Sequence, residues 1–327
     1  MQDTSSHPWS KTYPDNIDWD MPITPKPIYS LLDDTAYKYG EKTAFDFLGK
    51  TFTWDEINTL SKKMARGLQR LGAQKGVKIG IMLPNSPYFI IAFYAIARTG
   101  ATAVNYNPLY SEREISYQIE DSETDIMITL DLGLMYHKLN KMLRSTRLNQ
   151  IVVCPFTQVL PFPKNILFSM FKGKEIAKIP NDDRHLDYNT MVDNKGQLDP
   201  VTIDPENDTA LYQYTGGTTG VPKGAVMRHH DLLFNVTATI NAQAFVTSDV
   251  HLVVNPMFHV TALYSSLPSA VMLKSPVIIT ADTTATGLLQ LVADDWHGGE
   301  ELGGHLDGHV EHVGNRVTLE GDFEGLA

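Results

Sequence analysis

From Phe45 to Pro155 the sequence alternates short apolar runs with longer amphipathic ones, and this rhythm leaves few folds open to it. Thr53-Trp54-Asp55-Glu56 has the form of a capping box, in which the Thr53 hydroxyl and the Glu56 carboxylate satisfy donors at a helix start. Ile57, Leu60, Met64, Leu68 and Leu71 follow at helical spacing, and Gly72 supplies a stop. Val77 to Leu83 predicts a buried strand. Ser86-Pro87 opens the next helix with proline in its first turn, and Gly100 closes it. Ala101 to Tyr106, Asp125 to Leu130 and Ile151 to Pro155 predict further strands. Between them lie a helix led by a second capping box, Ser111-Glu112-Arg113-Glu114, with Ile115 and Ile119 on one side, and another over Leu132 to Leu143. Strands alternating with helices imply right-handed crossovers and a parallel sheet covered on both faces. The fold class is α/β, built from parallel-sheet βαβ units.

Charge narrows the function. The 327 residues carry 27 Lys and Arg against 38 Asp and Glu, a net −11. Residues 282–327 hold ten of the acids and one base, Arg316, so the body is nearly neutral. It offers no basic face for phosphate backbones, and nucleic acid is excluded as a partner. The single cysteine, Cys154, rules out a disulfide framework and a cysteine zinc site, and fits a reducing compartment. The N-terminus lacks a signal pattern, and the best apolar run, Tyr88 to Tyr106, is broken by Arg98 and Gly100. The expectation is a cytoplasmic protein, soluble or peripheral at the inner membrane face. Leu160 to Pro180 bears on that choice. Its Ile166, Leu167, Phe168, Met170, Phe171, Ile176 and Ile179 are interleaved with Lys164, Lys172, Lys174 and Lys178. Such a segment suits either contact with an anionic membrane or a half-buried surface helix with solvated lysines.

The chemistry concentrates in Tyr212-Gln213-Tyr214-Thr215-Gly216-Gly217-Thr218-Thr219-Gly220-Val221-Pro222-Lys223-Gly224-Ala225. A strand over Ala210 to Tyr214 runs into a loop of glycines, threonines and one lysine. Glycines let successive backbone N–H groups line one concavity, threonines add hydroxyl donors, and lysine adds a mobile charge for outer phosphates. The common NTPase loop needs Gly-Lys-Ser/Thr, whereas Lys223 stands between Pro222 and Gly224. A dinucleotide Gly-x-Gly-x-x-Gly turn does not fit these spacings either. The bland alternative is a flexible Gly/Thr hairpin loop.

This loop resembles the phosphate-binding signature of the adenylate-forming superfamily of acyl-CoA synthetases, adenylation domains and luciferases. Its Tyr-Thr-Gly-Gly-Thr-Thr-Gly form is most similar to bacterial long-chain fatty-acid:CoA ligases. Ile81-Met82-Leu83-Pro84-Asn85-Ser86-Pro87, Asn107-Pro108-Leu109-Tyr110, Tyr117-Gln118-Ile119-Glu120-Asp121-Ser122, Gly224-Ala225-Val226-Met227 with His229, and Asn255-Pro256-Met257-Phe258-His259-Val260 resemble family segments in the same order. The resemblance runs from about Pro27 to about Ile279. It implies that Thr215, Gly216, Gly217, Thr218, Thr219, Gly220 and Lys223 grip the β- and γ-phosphates of ATP, with Lys223 and Thr219 assisting phosphate positioning. It implies that Phe258 and His259 line the acyl side of the pocket, His259 shaping it without proton transfer. Read without the family, His259 is a structural histidine after an apolar strand. The implied reaction joins a fatty acid to ATP, with Mg2+, as an acyl-adenylate, from which coenzyme A displaces AMP. A synthetase for an aromatic or short-chain acid, and a non-catalytic nucleotide-binding product, are the alternatives.

The family pattern then stops. Its Tyr-Gly-x-Thr-Glu segment with the magnesium-binding Glu, its ribose-binding Asp and its C-terminal lysine have no counterpart here, so the fold expected is the large N-terminal domain, incomplete and without the small C-terminal one. The expected division is an arm over 1–28, a first α/β subdomain over 29–204, the start of a second over 205–281, and a foreign acidic tail over 282–327. The tail reads as a shifted frame, a fusion or a premature end, supplying no strand to the second sheet. His305, His309, His312 and Glu311 have metal-like spacing, but Gly303, Gly304 and Gly308 argue against the helix that would gather them, so no metal is assigned.

Overall fold

The computed structural model describes residues 21–215, 222–243, 245–247, 249–260, 262–263, 267–279 and 318–319. The arm 1–20, the loop residues 216–221 and most of the tail, including its histidines, lie outside these. The alternating rhythm becomes β3 (Lys78–Met82), α3 (Pro87–Thr99), β4 (Thr102–Asn105), α4 (Glu112–Ser122), β5 (Thr124–Leu130), α5 (Gly133–Ser145) and β6 (Gln150–Cys154). It is preceded by α1 (Ser30–Tyr39), the hairpin β1 (Thr43–Phe47) and β2 (Lys50–Thr53), and α2 (Trp54–Arg70). Next come α6 (Lys164–Phe171), β7 (His185–Asp187), α7 (Tyr188–Val192), the pair β8 (Thr209–Thr215) and β9 (Lys223–Arg228), and α8 (His229–Gln243). β10 (His251–Val253), α9 (Leu267–Leu273), β11 (Val277–Ile279) and β12 (Thr318–Leu319) complete it.

Both capping boxes form as read: Glu56 N–H donates to the Thr53 hydroxyl and Thr53 N–H to the Glu56 carboxylate, and Ser111 with Glu114 does the same. Gly100 ends α3 in the left-handed region at φ 75°, where glycine carries no Cβ penalty. Ser86 caps nothing with its side chain; its hydroxyl donates to the Pro84 carbonyl instead.

The seven-stranded sheet runs β7-β6-β5-β3-β4-β8-β9, parallel except for the β8–β9 pair. A smaller sheet runs β12-β10-β11-β1-β2, antiparallel only at β1–β2. Two expectations need correcting. The sheets do not divide at residue 204/205: β8 and β9 extend the sheet begun by β3, while β1 of the early segment pairs with β11. Hydrogen bonding of strand edges far apart in sequence outweighs the linear order of segments. The tail also supplies a strand after all, since Thr318 and Leu319 lie beside His251 and Leu252 on the outer edge of β10.

Every residue of α3 is buried, which explains its continuous rather than striped apolar sequence. Packed along α2 and against β3 and β4, it buries Phe89, Ile90, Ile91, Phe93 and Ile96, each worth roughly 1.5–3 kcal/mol. Arg98 is the exception in polarity. Its guanidinium donates to both oxygens of Asp33 on α1 at 2.8 and 3.1 Å, to Asn58 at 2.7 Å and to Ser61 at 3.0 Å on α2, and lies over the Tyr29 ring. The charge that broke the apolar run therefore ties three helices together. Burial pushes the Asp33 carboxyl up, but Arg98 and Lys62 outweigh it and hold the group below its ordinary value. Among the described residues no helix is long and apolar enough to cross a membrane.

Removing the carboxylate strands the buried guanidinium. Asp33→Ala should cost about 2–3 kcal/mol in urea unfolding, somewhat below the ~3–5 kcal/mol of a fully buried pair because Asp33 is partly exposed. Because the folded pKa is depressed, the stabilisation is full above the unfolded carboxylate value and fades as pH falls through the folded one. An unchanged midpoint for Asp33→Ala at neutral pH would contradict the assignment.

Candidate functional site

In the seven-stranded sheet the connection from β3 leads to β4 on one side, whereas that from β5 leads to β6 on the other, so the order reverses between the neighbouring strands β3 and β5. In open α/β sheets the crevice at such a reversal, beyond the carboxyl ends of the strands, is where ligands bind. Three amide side chains stand along the same carboxyl edge, from β3 outward on the side away from β5: Asn85 after β3, Asn105 at the end of β4, and Gln213 near the end of β8. Asn105 Nδ2 donates to Gln213 Oε1 at 3.0 Å, and Gln213 Nε2 donates to the Phe258 carbonyl at 2.9 Å. Asn85 accepts from Met257 N–H at 2.7 Å and donates to the Asn255 carbonyl at 3.0 Å. The Asn-Pro-Met-Phe-His segment is thus held against the sheet's carboxyl edge through its backbone. Phe258 packs on the core while His259 is exposed, its N–H closing a turn onto the Pro256 carbonyl at 2.8 Å.

β8 and β9, the strands on either side of the Gly/Thr loop, pair antiparallel. Thr215 and Lys223 are register partners at the mouths of β8 and β9, both exposed. Lys223 forms no ion pair with the described residues. The base of the hairpin is fixed to α4. Tyr214 donates to Asp121, and Tyr117 donates to the Pro222 carbonyl at 3.5 Å. Burial, and then the Asp121 carboxylate, push the Tyr214 phenol well above its ordinary value, so it stays a donor. The Tyr214 ring lies across Gly224, where a Cβ would sit 3.1 Å from ring carbons, and this close approach accounts for the glycine after Lys223.

The structure therefore brings Thr215, Lys223 and Phe258 to one edge. Gln213, which holds Phe258, is two residues or about 7 Å of strand from Thr215. Gly216, Gly217, Thr218, Thr219 and Gly220 lie outside the described residues. Asn85, Asn105, Gln213, Tyr214 and Asp121 had no role assigned from sequence. The available signal was polarity in the wrong place: Asn105 follows the apolar Ala103-Val104 pair in a fully buried strand, and Gln213 interrupts Leu211-Tyr212-Gln213-Tyr214. Among the described residues no three His, Cys, Asp or Glu side chains gather where they could hold a metal ion.

A model of the family described as AMP-binding enzyme matches residues 32–294. The chain belongs to that family. The match takes in the first thirteen residues beyond 281. The chain is 36% identical over 281 residues to a long-chain-fatty-acid–CoA ligase of Bacillus subtilis, covering 84% of this chain and 50% of that protein. It is 26% identical over 273 residues to 4-coumarate-CoA ligase 1 of Narcissus pseudonarcissus, covering 81% and 45%. Its fold matches the crystal structure of a long-chain-fatty-acid-CoA ligase from Archaeoglobus fulgidus with a TM-score of 0.70 at 24% identity, covering 84% and 51%. The chain spans about half the length of the curated relatives it matches.

His229 opens α8 directly after the hairpin, and Asp231 in the same turn accepts from Arg228, as a carboxylate at a helix N-terminus should. His229 itself is fully buried, and its Nδ1 accepts the Ile28 N–H at 3.2 Å. Burial lowers its pKa to about 4, so it is neutral in the fold. The unfolded chain binds the extra proton between roughly pH 6.5 and 4, so stability is full above that window and falls within it, by at most about 3 kcal/mol. His229→Gln should show a shallower loss of thermal midpoint across that window than the native chain, and parallel profiles would contradict the buried neutral imidazole.

Proposed function

We propose that this family member serves fatty-acid activation: the carboxylate attacks the α-phosphate of ATP, pyrophosphate leaves, and the coenzyme A thiol then displaces AMP from the acyl-adenylate. The single observation that supports the reading is the hydrogen bond from Gln213 to the Phe258 carbonyl, which holds the Asn-Pro-Met-Phe-His segment to the strand that leads into the Gly/Thr loop. Transfer at phosphorus asks for positioning and charge neutralisation more than for covalent help. Thr215, Gly216, Gly217, Thr218, Thr219 and Gly220 would supply hydroxyl and backbone N–H donors to the β- and γ-phosphates, and Lys223 a charge. Phe258 and His259 would wall the acyl side, with no proton passing through His259. Mg2+ would arrive with ATP, and no step here is assigned to a metal held by this chain.

The long-chain choice rests on the Bacillus subtilis relative, the more similar of the two ligases at 36% against 26% identity. The sequence contains no Gly-x-Thr-Glu segment, so the 327-residue chain on its own is expected to bind ATP without completing the ligation. The cytoplasm, where the buried Cys154 thiol stays reduced, is the compartment this reading implies.

Calorimetric titration with ATP tests both statements. Lys223→Ala should weaken binding about tenfold or more, the usual scale of a lost charge-assisted hydrogen bond, with folding unchanged because Lys223 is exposed. Palmitate and coenzyme A added to the native chain with ATP should release no AMP above blank. Equal ATP affinity in the variant would remove the phosphate role, and steady AMP release would remove the expected inactivity.

A further inference from the structure

A surface helix ordinarily turns its apolar stripe inward. α6 does the reverse. None of its residues is buried, and the side chains nearest the body are Asn165 and Phe168, the latter edge-on to Phe156 at 5.0 Å. Ile166, Leu167, Met170 and Phe171 fall within one arc of about 140° at helical geometry, and all face out. Phe162, just before the helix, is 79% exposed, Met170 71% and Phe171 77%. The segment is nevertheless firmly seated. The Ala177 N–H donates to the Asp131 carbonyl at 2.7 Å, Leu132 bridges Ile176, and the Lys164 ammonium donates to the Leu48 carbonyl at 2.8 Å. The apolar side chains are therefore presented on a fixed platform.

We infer that this face docks on an anionic lipid bilayer, with Phe162, Ile166, Met170 and Phe171 entering the acyl boundary and Lys172, Lys174 and Lys178 meeting headgroup phosphates. The charge pattern selects this occupant. Four lysines flank the patch against one acid, Glu175, which pairs with Lys172 at 2.7 Å. Lys174 and Lys178 form no ion pair among the described residues. Protein interfaces favour arginine and are poor in lysine, whereas a lysine ammonium on its flexible stem reaches up from an apolar surface to the headgroup layer. The segment has four lysines and no arginine. An apolar centre with a lysine rim on a short helix is the composition of an interfacial segment. The inference stands apart from the ligase reading, because it needs neither ATP nor coenzyme A.

Vesicle co-sedimentation of the full 327-residue chain, without nucleotide, tests it. The native chain should pellet with phosphatidylcholine vesicles containing phosphatidylglycerol, about tenfold more strongly than with phosphatidylcholine alone, and less so in high salt. The triple variant Phe162→Ser/Met170→Ser/Phe171→Ser should lose about tenfold or more of that binding while keeping its circular dichroism and melting profile, as the three side chains are exposed. Lys174→Ser/Lys178→Ser should lose the preference for the anionic lipid. The proposal is overturned if the native chain stays in the supernatant or if the triple variant binds equally well. It is also overturned if the native chain is a dimer in lipid-free sedimentation that the triple variant turns into a monomer, since the face would then be a contact between copies.

Discussion

The site depends on amide side chains holding backbone. Gln213, sitting between Asn105 and the Phe258 carbonyl, joins β4, β8 and the segment after β10. An amide suits the place because it donates and accepts at once and carries no charge that would need neutralising at a buried strand edge. Asn85 repeats the arrangement one strand away. The position of Phe258 is thus inherited from the sheet, and the Gly/Thr hairpin is carried by the same strand, β8.

The second constraint is helical. α3 is buried on all sides, so this helix has no solvent face through which to tolerate misalignment. Arg98 fixes the register of that layer by contacting α1 and α2 together with four side-chain acceptors. A buried ion pair is weak evidence for net stability, but losing one partner is costly, and this gives the helix layer a single arrangement.

Much of the element order was legible in the sequence because local rules and tertiary packing agree there. Thr53 with Glu56 and Ser111 with Glu114 cap the helices they precede, and Gly100 stops α3. Spatial partnership was not legible. Nothing local in Thr43–Phe47 says that it pairs with Val277–Ile279, and the boundary expected near residue 204 ignored the return of β8 to β4. The candidate site divided in the same way. Thr215, Lys223, Phe258 and His259 are candidates that composition and resemblance supply. Asn85, Asn105 and Gln213 act through the backbone of distant segments, which leaves only a polar letter in an apolar run. The net charge of −11 proved uninformative about the site, since ten of the acids lie in residues 282–327.

Hydrogen–deuterium exchange of the 327-residue chain, with and without saturating ATP, addresses the central claim that the hairpin tip and the 255–259 segment form one nucleotide-dependent site. The account predicts that ATP slows exchange in peptides spanning 213–225 and 255–259 together, and that Gln213→Leu uncouples the second from the first. Protection confined to other regions, or unchanged exchange in both segments at saturating ATP, would contradict it.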